Sequence, residues 1–163
     1  MSDRRDEARK PFAERGRFVV QLHDATRLHY DLRIQRGAVM KSWAVPKGPS
    51  VDPSDRRLAV EVEDHALFSD FEGVYVPSRG SGAVIVWDEG TVDVLTDDPD
   101  HMSFFLDGHK LIGRFGLTRI DRRNWLLVKA ADEYQRRGLD IVTAAPASVR
   151  TGRTWQEVAD EGH

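Results

Sequence analysis

From His29 to Ile34 the chain alternates strictly. His29, Asp31 and Arg33 fall on odd positions, while Tyr30, Leu32 and Ile34 fall on even ones. A period of two is the pattern of a β-strand, whose successive side chains point to opposite sides of the sheet. The strand predicted here therefore has an apolar face and a face bearing an imidazole, a carboxylate and a guanidinium. Those groups ligate metals and clamp phosphates, so the polar row does more than meet solvent. The stretch closes the run HDATRLHYDLR, His23 through Arg33.

The rest of the chain repeats this grammar of short strands and turn signals. Strands are predicted over 17–22, 29–34, 39–45, 57–62, 83–87, 91–95, 103–106, 110–120 and 125–129. Turns are expected at Gln35-Arg36-Gly37, Pro46-Lys47-Gly48-Pro49, Asp88-Glu89-Gly90, Asp107-Gly108 and Asp121-Arg122-Arg123-Asn124. Eight or nine strands at this spacing imply an all-β fold, a compact antiparallel barrel of about eight strands or a sandwich. Past Tyr134 the pattern becomes linker-like, and Thr154 with Glu157 makes a capping box for a short helix from Trp155 to Asp160. Three regions are expected: an N-terminal arm (1–16), a barrel (17–132) and a C-terminal tail with a short helix (133–163).

At 163 residues and 40% hydrophobic, the chain can bury a core without staples. It contains no cysteine, which removes disulfides and thiolate metal sites and leaves imidazole and carboxylate as transition-metal ligands. No signal core or membrane-length apolar run is present, so a soluble, intracellular protein is expected. Net charge is −3, unevenly spread: residues 1–60 carry 13 Lys/Arg against 8 Asp/Glu, and residues 61–110 carry 2 against 12. A basic face on an acidic protein is compatible with phosphate binding, because affinity follows local charge. A solvated mixed surface is equally compatible.

His65, in VEDHALF, adds a second imidazole at the end of a predicted strand. Together His23, Asp31 and His65 make a facial set of two nitrogens and one oxygen, suited to Mn²⁺, Fe²⁺ or Zn²⁺. His29 and Arg33 are then left for a substrate phosphate, although Arg33 also has a same-face ion-pair partner in Asp31. Lys47, in a Pro/Gly-bounded loop, and the pair Arg56-Arg57 are the next cations. His101, His109 and His163 fall in loop or terminal contexts. PSRGSGA does not lead from a strand into a helix, so it reads as a mobile loop rather than a phosphate loop. Trp43, Trp87 and Trp125 lie in strand patterns and are expected in the core.

The ordered motifs HDATRLHYDLR, SWAVPKGPS, RRLAVEVEDH, DFEG, VIVWDEGT and NWLLVKAAD resemble the 3′-phosphoesterase domain of bacterial DNA ligase D, over about Arg17 to Asp132. The tail APASVRTGRTWQEVA also resembles the segment that follows this domain in the larger ligases. The resemblance implies a compact β-barrel that uses manganese, or Zn²⁺ or another transition metal, to process DNA 3′ ends during end joining. Phosphodiesterase action would remove a 3′-terminal ribonucleoside, and phosphomonoesterase action the remaining 3′-phosphate. It implies His23, Asp31 and His65 as metal ligands, His29 and Arg33 as catalytic phosphate-contacting residues, and Lys47 and Arg57 as further phosphate contacts. Expected partners are primer-template DNA ends and, beyond them, an end-joining ligase, polymerase or end-binding protein, in a prokaryotic cytoplasm at the nucleoid and without a membrane.

Two departures stand against the pattern. The family's phosphate-engaging tyrosine is replaced by Phe68 or Ser69, and residues 1–16 do not allow its essential arm residues to be placed on Arg4, Arg5, Asp6 or Glu14. Both imply weaker activity or survival of only one reaction. They leave open a catalytically weak DNA-end-binding or docking module, and beyond that a hydrolase of small phosphate esters.

Overall fold

The computed structural model describes residues 14–67 and 70–162. Alternation along the strands drives the architecture. Phe18, Val20 and Leu22 on β1 (Glu14–Asp24) and Tyr30, Leu32 and Ile34 on β2 (Leu28–Arg36) turn to one side and are buried together. Seven further strands follow: β3 (Val39–Val45), β4 (Arg57–Ala66), β5 (Gly73–Val74), β6 (Ala83–Asp98), β7 (His101–Gly108), β8 (Ile112–Asp121) and β9 (Asn124–Lys129). Every pairing is antiparallel, in the order β1-β2-β3-β4-β9-β8-β7-β6, and β6 pairs back onto β1. The sheet therefore closes on itself as the expected eight-stranded barrel. The two-residue β5 adds to one end of β6.

Trp43, Trp87 and Trp125 all lie in the core, with Trp43 and Trp125 meeting edge to face at 5.8 Å. Burial on this scale is worth on the order of 1.5–3 kcal/mol for each large apolar side chain, which sets the strand register firmly.

Two expected turns are corrected. Asp88-Glu89-Gly90 does not end a strand: β6 runs unbroken from Ala83 to Asp98, with Asp88, Glu89 and Gly90 opposite Val20, Val19 and Phe18 of β1. The Asp88 carboxylate is fully buried and accepts from the backbone N–H groups of His109, Lys110 and Leu111, so it organises the β7–β8 connection instead of its own turn. The β2–β3 hairpin turns at Gly37, in the left-handed conformation, because Gln35 and Arg36 stay in the ladder opposite Met40 and Val39.

The segment beyond Lys129, linker-like in sequence, packs on the barrel. A short helix α1 (Ile141–Ala144) buries Ile141, and α2 (Trp155–Glu161) buries Val158 and Ala159 and lies on β1, β5 and β6. The Thr154/Glu157 capping box is formed in both directions. Between the helices, Trp87 Nε1 and Lys110 Nζ both donate to the carbonyl of Ala145. Among the described residues no helix is long and apolar enough to cross a membrane.

Candidate metal and phosphate site

The inward-facing core leaves the opposite row of each strand on the outer wall of the barrel. There the ladder sets Gln21 opposite Asp31, His23 opposite His29, and Arg33 opposite Ser42, which in turn faces Val62. The segment 70–75 crosses this wall and carries Phe71 and Tyr75 over it. The result is a cavity of about 600 Å³ bounded by His23, Asp31, Arg33, His65, Phe71 and Tyr75.

His23, His29 and Asp31 each offer a ligand atom within 4.8 Å of the others. The His29 Nδ1 lies 3.0 Å from the Arg27 carbonyl, which can only accept, so Nδ1 carries the proton and Nε2 turns to Asp31 Oδ2 at 3.2 Å. The His23 Nε2 lies 2.8 Å from Ser78 Oγ, whose own hydroxyl donates to the Arg79 carbonyl; the imidazole is therefore the donor. Outer contacts of this kind fix the ring and tautomer of a metal-ligating histidine. The hydrogen bond to Asp31 holds His29 above the usual imidazole range despite the opposing effect of burial. Burial, and then the neighbouring His29, hold His23 below it. With two imidazoles and one largely buried carboxylate, the group fits a borderline divalent transition ion.

Arg33 is 8% exposed. Its Nε donates to Gln21 Oε1 at 2.8 Å, and its Nη1 donates to Ser42 Oγ at 3.1 Å and to His65 Nδ1 at 3.0 Å. Its Nη2 lies 3.5 Å from Asp31 Oδ2. Burial pulls its pKa down while Asp31 opposes, but a guanidinium keeps its charge at any working pH. The expected pairing with Asp31 is present, beside the bonds that Gln21 and Ser42 accept from the same guanidinium.

The geometry groups the predicted residues in its own way. His23, Asp31, Arg33 and His65 share the cavity, and His29 joins His23 and Asp31 as the third close ligand atom. His65 stands with Arg33 and Ser42 instead. Lys47 and Arg57 do not line the cavity: Lys47 follows the end of β3, and Arg57, opposite Leu127 at the start of β4, lies beside Asp55. Glu14 opens β1 and pairs with Arg36. Phe68, Ser69, Arg4, Arg5 and Asp6 lie outside the described residues.

Sequence reasoning missed the supports of this site. Gln21 bridges it, accepting from Arg33 through Oε1 and donating through Nε2 to the Phe71 carbonyl at 2.9 Å. Its position two residues before His23, on the same strand face, was the available signal. Glu72 anchors the crossing segment: Oε1 accepts from Val86 N–H and Ser148 Oγ, and Oε2 from Thr151 Oγ1 and Arg153 Nη2. Arg150 ties Asp70 to Glu89. The C-terminal segment thus straps the cavity wall to the barrel, a long-range arrangement with no local signature.

A closed antiparallel barrel carrying an imidazole–carboxylate cluster and a buried guanidinium on its outer wall defines the class by its architecture: an all-β barrel domain with its polar cluster outside the core. The model of the DNA ligase D 3′-phosphoesterase domain matches residues 21–119, and the chain belongs to that family. It is 49% identical over 152 residues to the multifunctional non-homologous end joining protein LigD of Pseudomonas aeruginosa, covering 85% of this chain and 18% of that protein. It is 38% identical over 136 residues to the corresponding repair protein of Mycobacterium tuberculosis, covering 79% and 18%. The chain spans less than a fifth of the length of these curated relatives.

Proposed function

We propose that this chain is a metal-dependent phosphoesterase that trims DNA 3′ ends in end joining, with Mn²⁺ held by His23, His29 and Asp31. The observation that carries the reading is the convergence of those three ligand atoms within 4.8 Å beside the buried, fixed guanidinium of Arg33. When bound, the ion would supply Lewis-acid polarisation of the scissile phosphate. Arg33 binds non-bridging phosphate oxygens, and Gln21 and Ser42 hold its fork in place. His65 stands against Arg33 and Ser42 and helps to place the guanidinium, and the attacking water supplies the proton that the leaving oxygen takes. In the first reaction water adds its oxygen to phosphorus, the bond to the terminal nucleoside's 5′ oxygen breaks, and that oxygen gains a proton. In the second, the same exchange frees inorganic phosphate and leaves the 3′-hydroxyl that a ligase or polymerase requires. The place of action is DNA at the nucleoid.

The test is a primer-template ending in one 3′ ribonucleotide or in a 3′-phosphate, incubated with Mn²⁺, Mg²⁺, Zn²⁺ or chelator. Product with Mn²⁺ and none with chelator is expected; no product with any metal would refute the enzyme reading.

Metal affinity should also fall with acidity, because the ion must displace the proton that Asp31 helps His29 to keep. His29 is raised above the ordinary value of 6.5, so the loss begins above that pH and deepens as pH falls. Calorimetric titration with Mn²⁺ from about pH 8 to about pH 5 reads this directly. Constant affinity across that range contradicts it.

A further inference from the structure

Phe71 and Tyr75 are each 50% exposed, yet the backbone of each is anchored. The Phe71 carbonyl is fixed by Gln21, and its ring lies so close over Gly73 that a Cβ there would come within 3.0 Å of Cζ. Tyr75 donates from its backbone N–H to Gly82 and accepts at its carbonyl from Ser78, and its ring meets that of His23 at 6.5 Å and 70°. Two aromatic rings on anchored backbone thus stand at the rim of the cavity that Asp31 and Arg33 also line. The cavity, at about 600 Å³, exceeds what a phosphate needs and falls within the range of about 300–1,000 Å³ typical of small-molecule sites.

From this arrangement we infer that Phe71 and Tyr75 form a nucleoside subsite, on which the base of the 3′-terminal nucleotide stacks while its phosphate lies on Arg33. The inference rests on the proposed phosphoesterase reading and names the part of the substrate that Arg33 does not hold. A guanidinium and a π-faced rim are the pairing that recognises a nucleotide without regard to base identity. Gln21 sets the spacing, since one side chain holds both the guanidinium and the backbone of Phe71. The occupant is the terminal nucleoside because it alone lacks a 3′ neighbour and can leave the duplex at small cost; a paired duplex does not fit within the cavity. In the diester reaction that nucleoside is the leaving group, and in the monoester reaction it is already gone.

The two reactions therefore respond differently to removal of the rings. In the Phe71→Ala/Tyr75→Ala double variant, kcat/KM for removing a 3′ ribonucleoside is expected to fall about tenfold to a hundredfold further than kcat/KM for removing a 3′-phosphate. Tyr75→Phe, which keeps the ring, should restore the Tyr75 share. A primer-template carrying 2-aminopurine as its terminal base should be quenched on binding the wild type and much less on binding the double variant. Equal loss of both reactions, or no loss of either, overturns the inference. If the wild type cleaves neither substrate, the phosphoesterase reading fails, and the quenching comparison still decides the subsite: quenching by wild type alone supports it, and equal signals from both proteins refute it. Circular dichroism of each variant confirms that the barrel is folded before either comparison.

Discussion

His29→Ala and Asp31→Ala are each expected to abolish Mn²⁺ binding and to lower both reactions by at least about a hundredfold, the rate equivalent of several kcal/mol of lost charge stabilisation. His65→Ala is expected to slow the reactions while leaving the ion bound. The reason is the position of the two imidazoles. His29 turns Nε2 onto Asp31 and shares its ligand group with His23, whereas the Nδ1 of His65 is engaged by Arg33 and the Glu63 carbonyl. Electron paramagnetic resonance of added Mn²⁺, read beside single-turnover rates, separates the roles. Loss of the ion from His65→Ala with retention in His29→Ala would return the ligand set to His23, Asp31 and His65.

The second large effect lies in the strap. Glu72→Ala should cost about 3 kcal/mol, because the buried carboxylate satisfies a backbone N–H, two hydroxyls and a guanidinium that would all lose their acceptor. For a chain of this size that is a melting-temperature loss of roughly 6–12 °C. Activity should fall with it, since Glu72 follows Phe71, the residue whose carbonyl anchors Gln21. Burial pushes the Glu72 pKa upward, but the bonds from Ser148, Thr151, Val86 and Arg153 outweigh it and hold the carboxyl below its ordinary 4.5. The sign follows: this stability is present above that value and is lost as pH falls through the lower folded-state pKa. Calorimetric melting of wild type and variant checks both statements, and an unshifted transition with full activity contradicts them.

What the sequence made legible was local. The alternation through His29, Asp31 and Arg33 is a backbone property, so their common face was readable before any fold was known. The Thr154 capping box was readable for the same reason, because donor and acceptor lie within one turn. Asp88-Glu89-Gly90 misled because it is good turn chemistry whose aspartate is consumed by three amides some twenty residues later. The relation of His29 to His65 was unreadable, since it depends on a bulge between Met40 and Ser42 that sets where the end of β4 falls over Arg33. Ser148, Thr151 and Arg153 meet Glu72 across more than seventy residues, and no window of sequence contains both sides of that contact.

The ligand set is decided by the anomalous scattering of Mn²⁺ in crystals of the wild-type protein. One strong peak is expected, bounded by His23, His29 and Asp31, with Arg33 beside it. A peak ligated by His65 with His29 outside its coordination sphere, or no peak on this wall at saturating Mn²⁺, would contradict it.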